Sequence, residues 1–218
     1  MKRAGYKPCT QAIRTKTDPM DPIESIQNDR TEARKVHDPN ADTCFLALAS
    51  QQGSASIRTL VLRDIVDNRF SIFMNQSSPK WQLLSDKAGY ELLLWYPSQQ
   101  RQYRISGEHQ IMDQDEVETN WYRRPHGAKL LDYLYSAVAA QSSVIGSRQS
   151  LENEVARIGE LQPENDMAPP NGVTGIELLA NRIDMLDLNR QDRLHDRRLF
   201  TRESNSNDQK WQVQVMVP

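Results

Sequence analysis

Three observations predict a mainly β fold with inserted helices, an α+β class built on an antiparallel sheet or barrel. Short runs rich in apolar and β-branched residues follow one another through short turns, without a helix between each pair. Much of the helical periodicity is gathered in one block, from residue 115 to 161. No G-x-G-x-x-G and no P-loop is present, so a parallel nucleotide-binding sheet has no support.

The order of elements follows from local chemistry. Residues 1–20 are polar and aperiodic, which predicts a flexible N-terminal arm; 21–218 is long enough for a single domain with a real core. Asp21-Pro22-Ile23-Glu24 reads as a helix start, with Asp21 as cap, Pro22 in the first turn and Glu24 able to reach back to the cap amide. That helix is expected to end near His37, before Asp38-Pro39. Cys44 to Ala49 and Ser56 to Arg63 form a hairpin around Gln51-Gln52-Gly53-Ser54, and Phe70 to Asn75 is the next strand. Ser78 caps a helix opened by Pro79 and ending near Gly89. Tyr90–Tyr96 and Arg101–Met112 are strands. The helical block comprises Asp115–Tyr122, Lys129–Ala140 and Ser150–Leu161. The chain ends in strands over Gly175–Leu188, Leu194–Arg202 and Trp211–Val217, with Ser204–Asp208 as a hairpin tip.

Composition excludes several classes. The net charge of −2 gives no general pull toward nucleic acid or anionic membrane. No apolar run has the length of a membrane span, and Met1 to Pro22 has no apolar signal core, so a soluble cytoplasmic protein is expected. Cys9 and Cys44 are too few for a disulfide framework, and Cys44 reads as a small buried apolar residue. The histidines lack metal-ligand spacing, so no metal is expected.

Several patterns can carry chemistry. In Arg193-Leu194-His195-Asp196-Arg197, alternate residues of a strand place Arg193, His195 and Arg197 on one face. Such a face suits an anion, or equally a solvated edge strand. Arg58 and Arg63 lie five apart, on opposite faces of a regular strand, and serve either ligands or a hairpin rim. Asn75-Gln76-Ser77-Ser78-Pro79-Lys80 combines hydroxyls, a helix start and an ammonium; it reads as a phosphate cradle or as an ordinary capped helix. Gln102 can address a heterocycle edge or solvent. Trp81, Trp95 and Trp121 read as core.

Taken together, R-T-L-V-L-R at 58–63, F-M-N-Q-S-S-P-K at 73–80, R-Q-Y-R-I-S-G at 101–107, R-R-P at 123–125, Q-S-S at 141–143 and R-L-H-D-R at 193–197 resemble the pyridoxamine 5'-phosphate oxidase family. The resemblance runs from about Asp21 to Pro218 and is carried by the ordered set. It implies a split β-barrel homodimer with FMN at the subunit interface. It further implies oxidation of pyridoxamine or pyridoxine 5'-phosphate to pyridoxal 5'-phosphate in vitamin B6 metabolism, with oxygen reduced to hydrogen peroxide. By the same resemblance Arg58 and Lys80 hold the FMN phosphate, Phe73 and Met74 border the flavin, and Gln102 and Arg197 touch it. Gln141 and Ser142 reach it from the other subunit. Arg193 and His195 are the catalytic pair over the substrate ring, and Arg63, Asn120 and Arg124 complete substrate binding. The chain departs from the family pattern in five places, one being a segment up to Gln141 a few residues longer than usual. Arg63 stands where Lys is usual and Asn120 where Tyr is usual; no Ser matches shortly after Arg124-Pro125; and Leu186 or Leu188 stands near the place of a Trp. The FMN half is well kept and the substrate-phosphate half only partly. The alternatives are a related flavin oxidoreductase with another substrate, or a non-catalytic protein binding FMN or pyridoxal phosphate.

Overall fold

The computed structural model describes residues 21–86, 88–189, 194–202 and 210–218. The proposed N-terminal arm, Arg193 and the 204–208 hairpin tip lie outside the described residues.

Helix α1 spans Pro22–Lys35 and starts as its sequence dictates: the Asp21 carboxylate accepts from Ile23 N at 2.7 Å. Ile23, Ile26, Arg30 and Ala33 recur at helical spacing and are buried on one side. Arg30 has no solvent on that side, so its guanidinium bonds the carbonyls of Ala41 and Leu62 and pairs with Asp42 at 2.7 Å. The helix stops two residues before His37, which takes a left-handed φ of 55°.

The strands β1 (Thr43–Ala49), β2 (Ala55–Val61), β3 (Ile65–Val66), β4 (Arg69–Asn75), β5 (Tyr90–Tyr96), β6 (Arg101–Ile111) and β7 (Val173–Asp187) join in the order β2-β1-β5-β6-β7-β4-β3. Strand β8 (Asp196–Thr201) adds to β7, and β9 (Gln212–Met216) to β8. Every pairing is antiparallel. Strict alternation in β1 and β5 puts Cys44, Leu46, Leu48, Leu92, Leu94 and Tyr96 into the main core with Ile72, Tyr103, Ile183 and Phe200. Cys44 is fully buried, and burial pushes its thiol up to about 12.

The short helix α2 (Pro79–Ser85) links β4 to β5; Ser78 caps it through Trp81 N. Helices α3 (Gln114–Tyr122), α4 (His126–Ala137) and α5 (Arg148–Leu161) lie between β6 and β7 and close a second apolar cluster around Trp121, Leu130, Leu134, Ile158 and Val173. Trp121 is fully buried as expected, whereas Trp81 is only partly buried against the main core and Trp95 is half-exposed. No helix among the described residues is long and apolar enough to cross a membrane.

Most strand bounds lie within two residues of expectation; the differences at the end of β2 and the start of β8 matter for the site, and distant partners decide both. Strand β2 stops at Val61 because the next amides bond elsewhere, Leu62 N to Asp42 O and Arg63 N to Ser71 O. Arg63 therefore lies outside the strand whose alternation would have set it opposite Arg58. Strand β8 begins at Asp196, the last residue with a partner on β7, so His195 precedes the strand rather than sharing a strand face with Arg197.

Candidate functional site

Lys80 is the centre of the first cluster. It sits in the first turn of α2, 7% exposed, and its ammonium donates to Gln141 Oε1 at 2.8 Å. Burial and the neighbouring charge of Arg58 push its pKa down to about 8, with Asp132 pulling the other way. Arg58 reaches the same place from β2; one of its nitrogens donates to Ser56 Oγ, and Nη1 is buried with no partner among the described residues. Two adjacent cations, Lys80 buried and Arg58 half-buried, together with an unused donor suit an anion. Gln141 is fixed by its own backbone, whose N–H donates to Ser77 Oγ at 3.0 Å. Ser78 is spent on its cap, so the cations, not the serines or a helix of seven residues, make the cradle.

Gln141 thus meets Lys80 within one chain. The expectation that these two groups arrive from different subunits is not met, because the segment after α4 folds back onto the start of α2. Ser142 follows with a φ of 72°, exposed, in the turn closed by Ser143 N to Ala140 O at 3.1 Å.

The second cluster joins the first. Arg124 leaves α3, forms a short ion pair with Asp132 of α4, and lies 5.4 Å from the Trp121 ring centroid. Asp132 is 3% exposed; burial pushes its carboxyl up, while Arg124, the Asn75 side chain and Lys80 pull it back. Arg63 is close enough to Arg124 that the two charges act on each other, and burial and Arg124 both lower its pKa. Asn120 is not drawn into this cluster by any hydrogen bond: its amide donates to Glu116 O, one turn back in its own helix, at 3.0 Å.

Gln102 and Arg197 lie elsewhere. Gln102 pairs with Leu186, and Leu186 with Arg197, so both share one sheet face. Arg58 pairs with Leu46, Leu46 with Leu92 and Leu92 with Ile105, which is the opposite face. Arg197 is held by Asp184 through bonds of 3.0 and 2.9 Å, and Arg104 grips the same carboxylate. His195 is half-buried and its Nδ1 has no partner among the described residues. Phe73 packs against the helical cluster, whereas Met74 is buried in the main core, leaving its backbone as the part able to border a ligand. Sequence reasoning missed Asp132, and it singled out Asn75 only as part of the 75–80 stretch. An ion pair across a helix break has no short-range signature, and Asp132 reads there as one polar residue in an amphipathic helix.

An antiparallel sheet with inserted helices, carrying an Arg–Lys cradle suited to a phosphate, defines a phosphate-binding class of β protein. A family model described as pyridoxamine 5'-phosphate oxidase, FMN-binding domain, matches residues 22–113. The pyridoxine/pyridoxamine 5'-phosphate oxidase of Synechocystis sp. is 31% identical over 187 residues, covering 85% of this chain and 82% of that protein. The protein of the same name from Trichormus variabilis is 29% identical over 186 residues, with the same coverage of 85% and 82%. The chain belongs to the pyridoxamine 5'-phosphate oxidase family, and its cofactor is FMN. Two solved structures share the fold. PhzG from Burkholderia lata 383, in complex with tetrahydrophenazine-1-carboxylic acid, has a TM-score of 0.80 at 22% identity over 92% of this chain and 95% of that one. A pyridoxamine 5'-phosphate oxidase-related, FMN binding protein from Nostoc punctiforme has a TM-score of 0.72 at 16% identity, covering 92% and 100%. The residues present fit the cofactor: the unused Arg58 donor and the strained Lys80 charge are what a phosphate dianion would satisfy.

Proposed function

We propose that the chain is an FMN-dependent oxidase, formed from residues 21–218 as one domain and working as a homodimer. Its substrate in this reading is pyridoxamine or pyridoxine 5'-phosphate, converted to pyridoxal 5'-phosphate, with oxygen reduced to hydrogen peroxide. The observation that carries it is the cradle of half-buried Arg58 and buried Lys80, supported by the names of the curated relatives. Bound FMN would supply the redox chemistry, accepting two electrons as hydride and passing them to oxygen.

The chain's own residues bind and orient. Arg58, Lys80 and Gln141 hold the phosphate end. Gln102 and Arg197, set on the other sheet face, address the flavin ring from a second copy. The Asp184 carboxylate fixes the Arg197 guanidinium in one orientation, which removes a conformational cost at binding. His195, with Nδ1 unspent, hydrogen-bonds the substrate, and Arg193 clamps its ring. Arg63 and Arg124 face the substrate's anionic group. The test is anaerobic: pyridoxamine 5'-phosphate should bleach the yellow protein within the first turnover, and a flavin that keeps its colour would refute the reading.

A second reading keeps the flavin chemistry and changes the substrate. It is favoured by the Arg124–Asp132 contact, which occupies the place proposed for a substrate phosphate, and by a structural relative whose bound molecule is a ring carboxylic acid.

A further inference from the structure

We infer that Lys129 recognises the substrate's phosphate, its ammonium closing on that group together with the free edge of Arg124. The inference deepens the oxidase reading above and rests on it.

Lys129 is anomalous where it stands. It is 6% exposed, yet it has no hydrogen bond and no ion pair among the described residues. A buried ammonium without an anion beside it is costly, and lysines are rarely buried unless paired. What surrounds this one is aromatic: Nζ lies 5.8 Å from the Trp121 ring centroid and 6.0 Å from that of Tyr122. The ring faces attract the cation and offset part of its lost hydration, but they use none of its three N–H donors as an anion would.

The start of α4 gathers further free groups around it. Arg124 stands over the same indole, 5.4 Å from its centroid. Its Nη1 is taken by Asp132, while its Nε is buried with no partner among the described residues. His126, one turn before Lys129 on the same side of α4, likewise has a buried Nε2 without a partner among the described residues. The amides of His126 and Gly127 precede the bond from Ala128 N to Pro125 O, so the positive end of the helix dipole lies here too.

Charge suits a phosphate monoester. Arg63 and Arg124 act on each other, and Lys129 makes a third cation against the buried Asp132. The remainder is two positive charges, which a phosphate dianion matches. Asp64 beside Arg63 is exposed and screened by water, and Asp42 is held by Arg30 and Arg34. The cofactor end is separate: the charges acting on Lys80 are Arg58 and Asp132.

The experiment uses the FMN-loaded protein and steady-state kinetics on pyridoxamine with and without its phosphate. Lys129→Met removes the charge and keeps the bulk. It should raise KM for the phosphate ester about ten- to a hundredfold, the loss expected of one charge-assisted contact. KM for pyridoxamine, kcat and the FMN dissociation constant should stay unchanged, and Lys129→Arg should recover most of the loss. An unchanged KM for the ester, an equal rise for both substrates, or loss of flavin from both Lys129→Met and Lys129→Gln overturns the proposal. Turnover of the ester with the same KM in wild type and Lys129→Met would refute the Lys129 inference while upholding the oxidase. If wild type turns over neither compound, the oxidase falls, and phenyl phosphate becomes the probe, its binding read from the flavin difference spectrum. Binding that is at least tenfold weaker in Lys129→Met would then uphold the phosphate contact, and equal binding or none in wild type would refute it.

Discussion

Lys80 is where a measurement bites hardest. Its position after Ser78-Pro79 marks it in the sequence as a candidate anion ligand, and in the structure it is buried beside Arg58 with Gln141 as a neutral partner. Arg58→Ala or Lys80→Ala should each weaken FMN binding about ten- to a hundredfold, the worth of one charge-assisted contact at about 1.5–3 kcal/mol. Fluorescence titration of flavin checks it, and unchanged dissociation constants would move the cradle elsewhere. The sign of the pH effect follows from the lowered pKa. Above about pH 8 Lys80 is neutral in the ligand-free protein, so binding a dianion must take up a proton there. FMN affinity should fall above about pH 8, by up to about tenfold per pH unit, and this slope should vanish in Lys80→Met. Ligand-free stability moves oppositely. The folded pKa of about 8 lies below the ordinary 10.5, so Lys80 makes the fold more stable as pH rises through that window. Asp132, by contrast, was not legible: its role depends on Arg124, eight residues away across a proline-marked helix break.

Among the elements, local signals located the pieces and distant contacts trimmed them. Tyr90–Tyr96 was readable because its alternation is internal to seven residues, and α1 because Asp21 and Pro22 define its start. The ends of β2 and β8 were not, since amides bonded far along the chain decide them. What docks α1 is also nonlocal. Asp29 receives both oxygens' worth of contact from Arg101 at 2.9 and 3.0 Å and the Tyr103 hydroxyl at 2.5 Å. Asp29→Leu removes the acceptor and leaves Arg101 Nη1 and the buried Tyr103 hydroxyl unpaired, while Asp187 still holds Arg101 Nη2 at 2.7 Å. It should cost about 1–3 kcal/mol, the penalty for a buried donor left unsatisfied, seen as a lower urea midpoint. A loss under about 1 kcal/mol would mean that α1 is held by its apolar face alone. Strand β6 has its own fixed point. At the bulge between Ser106 and Gly107, a Cβ on Gly107 would lie 2.0 Å from Leu179 O, a backbone atom. Gly107→Ala should therefore destabilise by about 1–3 kcal/mol or more, and thermal unfolding would reveal it; an unshifted midpoint would mean that the β6–β7 ladder can slide there.

For the molecule as a whole, the two faces of one sheet pose the decisive question. Arg58 and Lys80 belong to one side; Gln102 and Arg197 belong to the other. The second side also exposes Ile57 and Val61, 68% and 52% accessible, beside half-buried Phe45 and Trp95 on the same face. Such an apolar face suits the self-complementary contact of a twofold dimer, which would bring the outer face of one copy to the cradle of the other. Light scattering should then find a dimer, and Ile57→Lys together with Trp95→Lys should yield monomers that lose flavin. Mixing lesions is the sharper measurement. Lys80→Ala damages the cradle and Arg197→Ala the outer face, so in either homodimer both sites carry one lesion. In a mixed dimer one site carries both lesions and the other carries none. Co-expression with random pairing should restore about a quarter of all sites to wild-type FMN affinity. If the cradle and Arg197 met the cofactor within a single chain, every site would keep a lesion and co-expression would restore nothing.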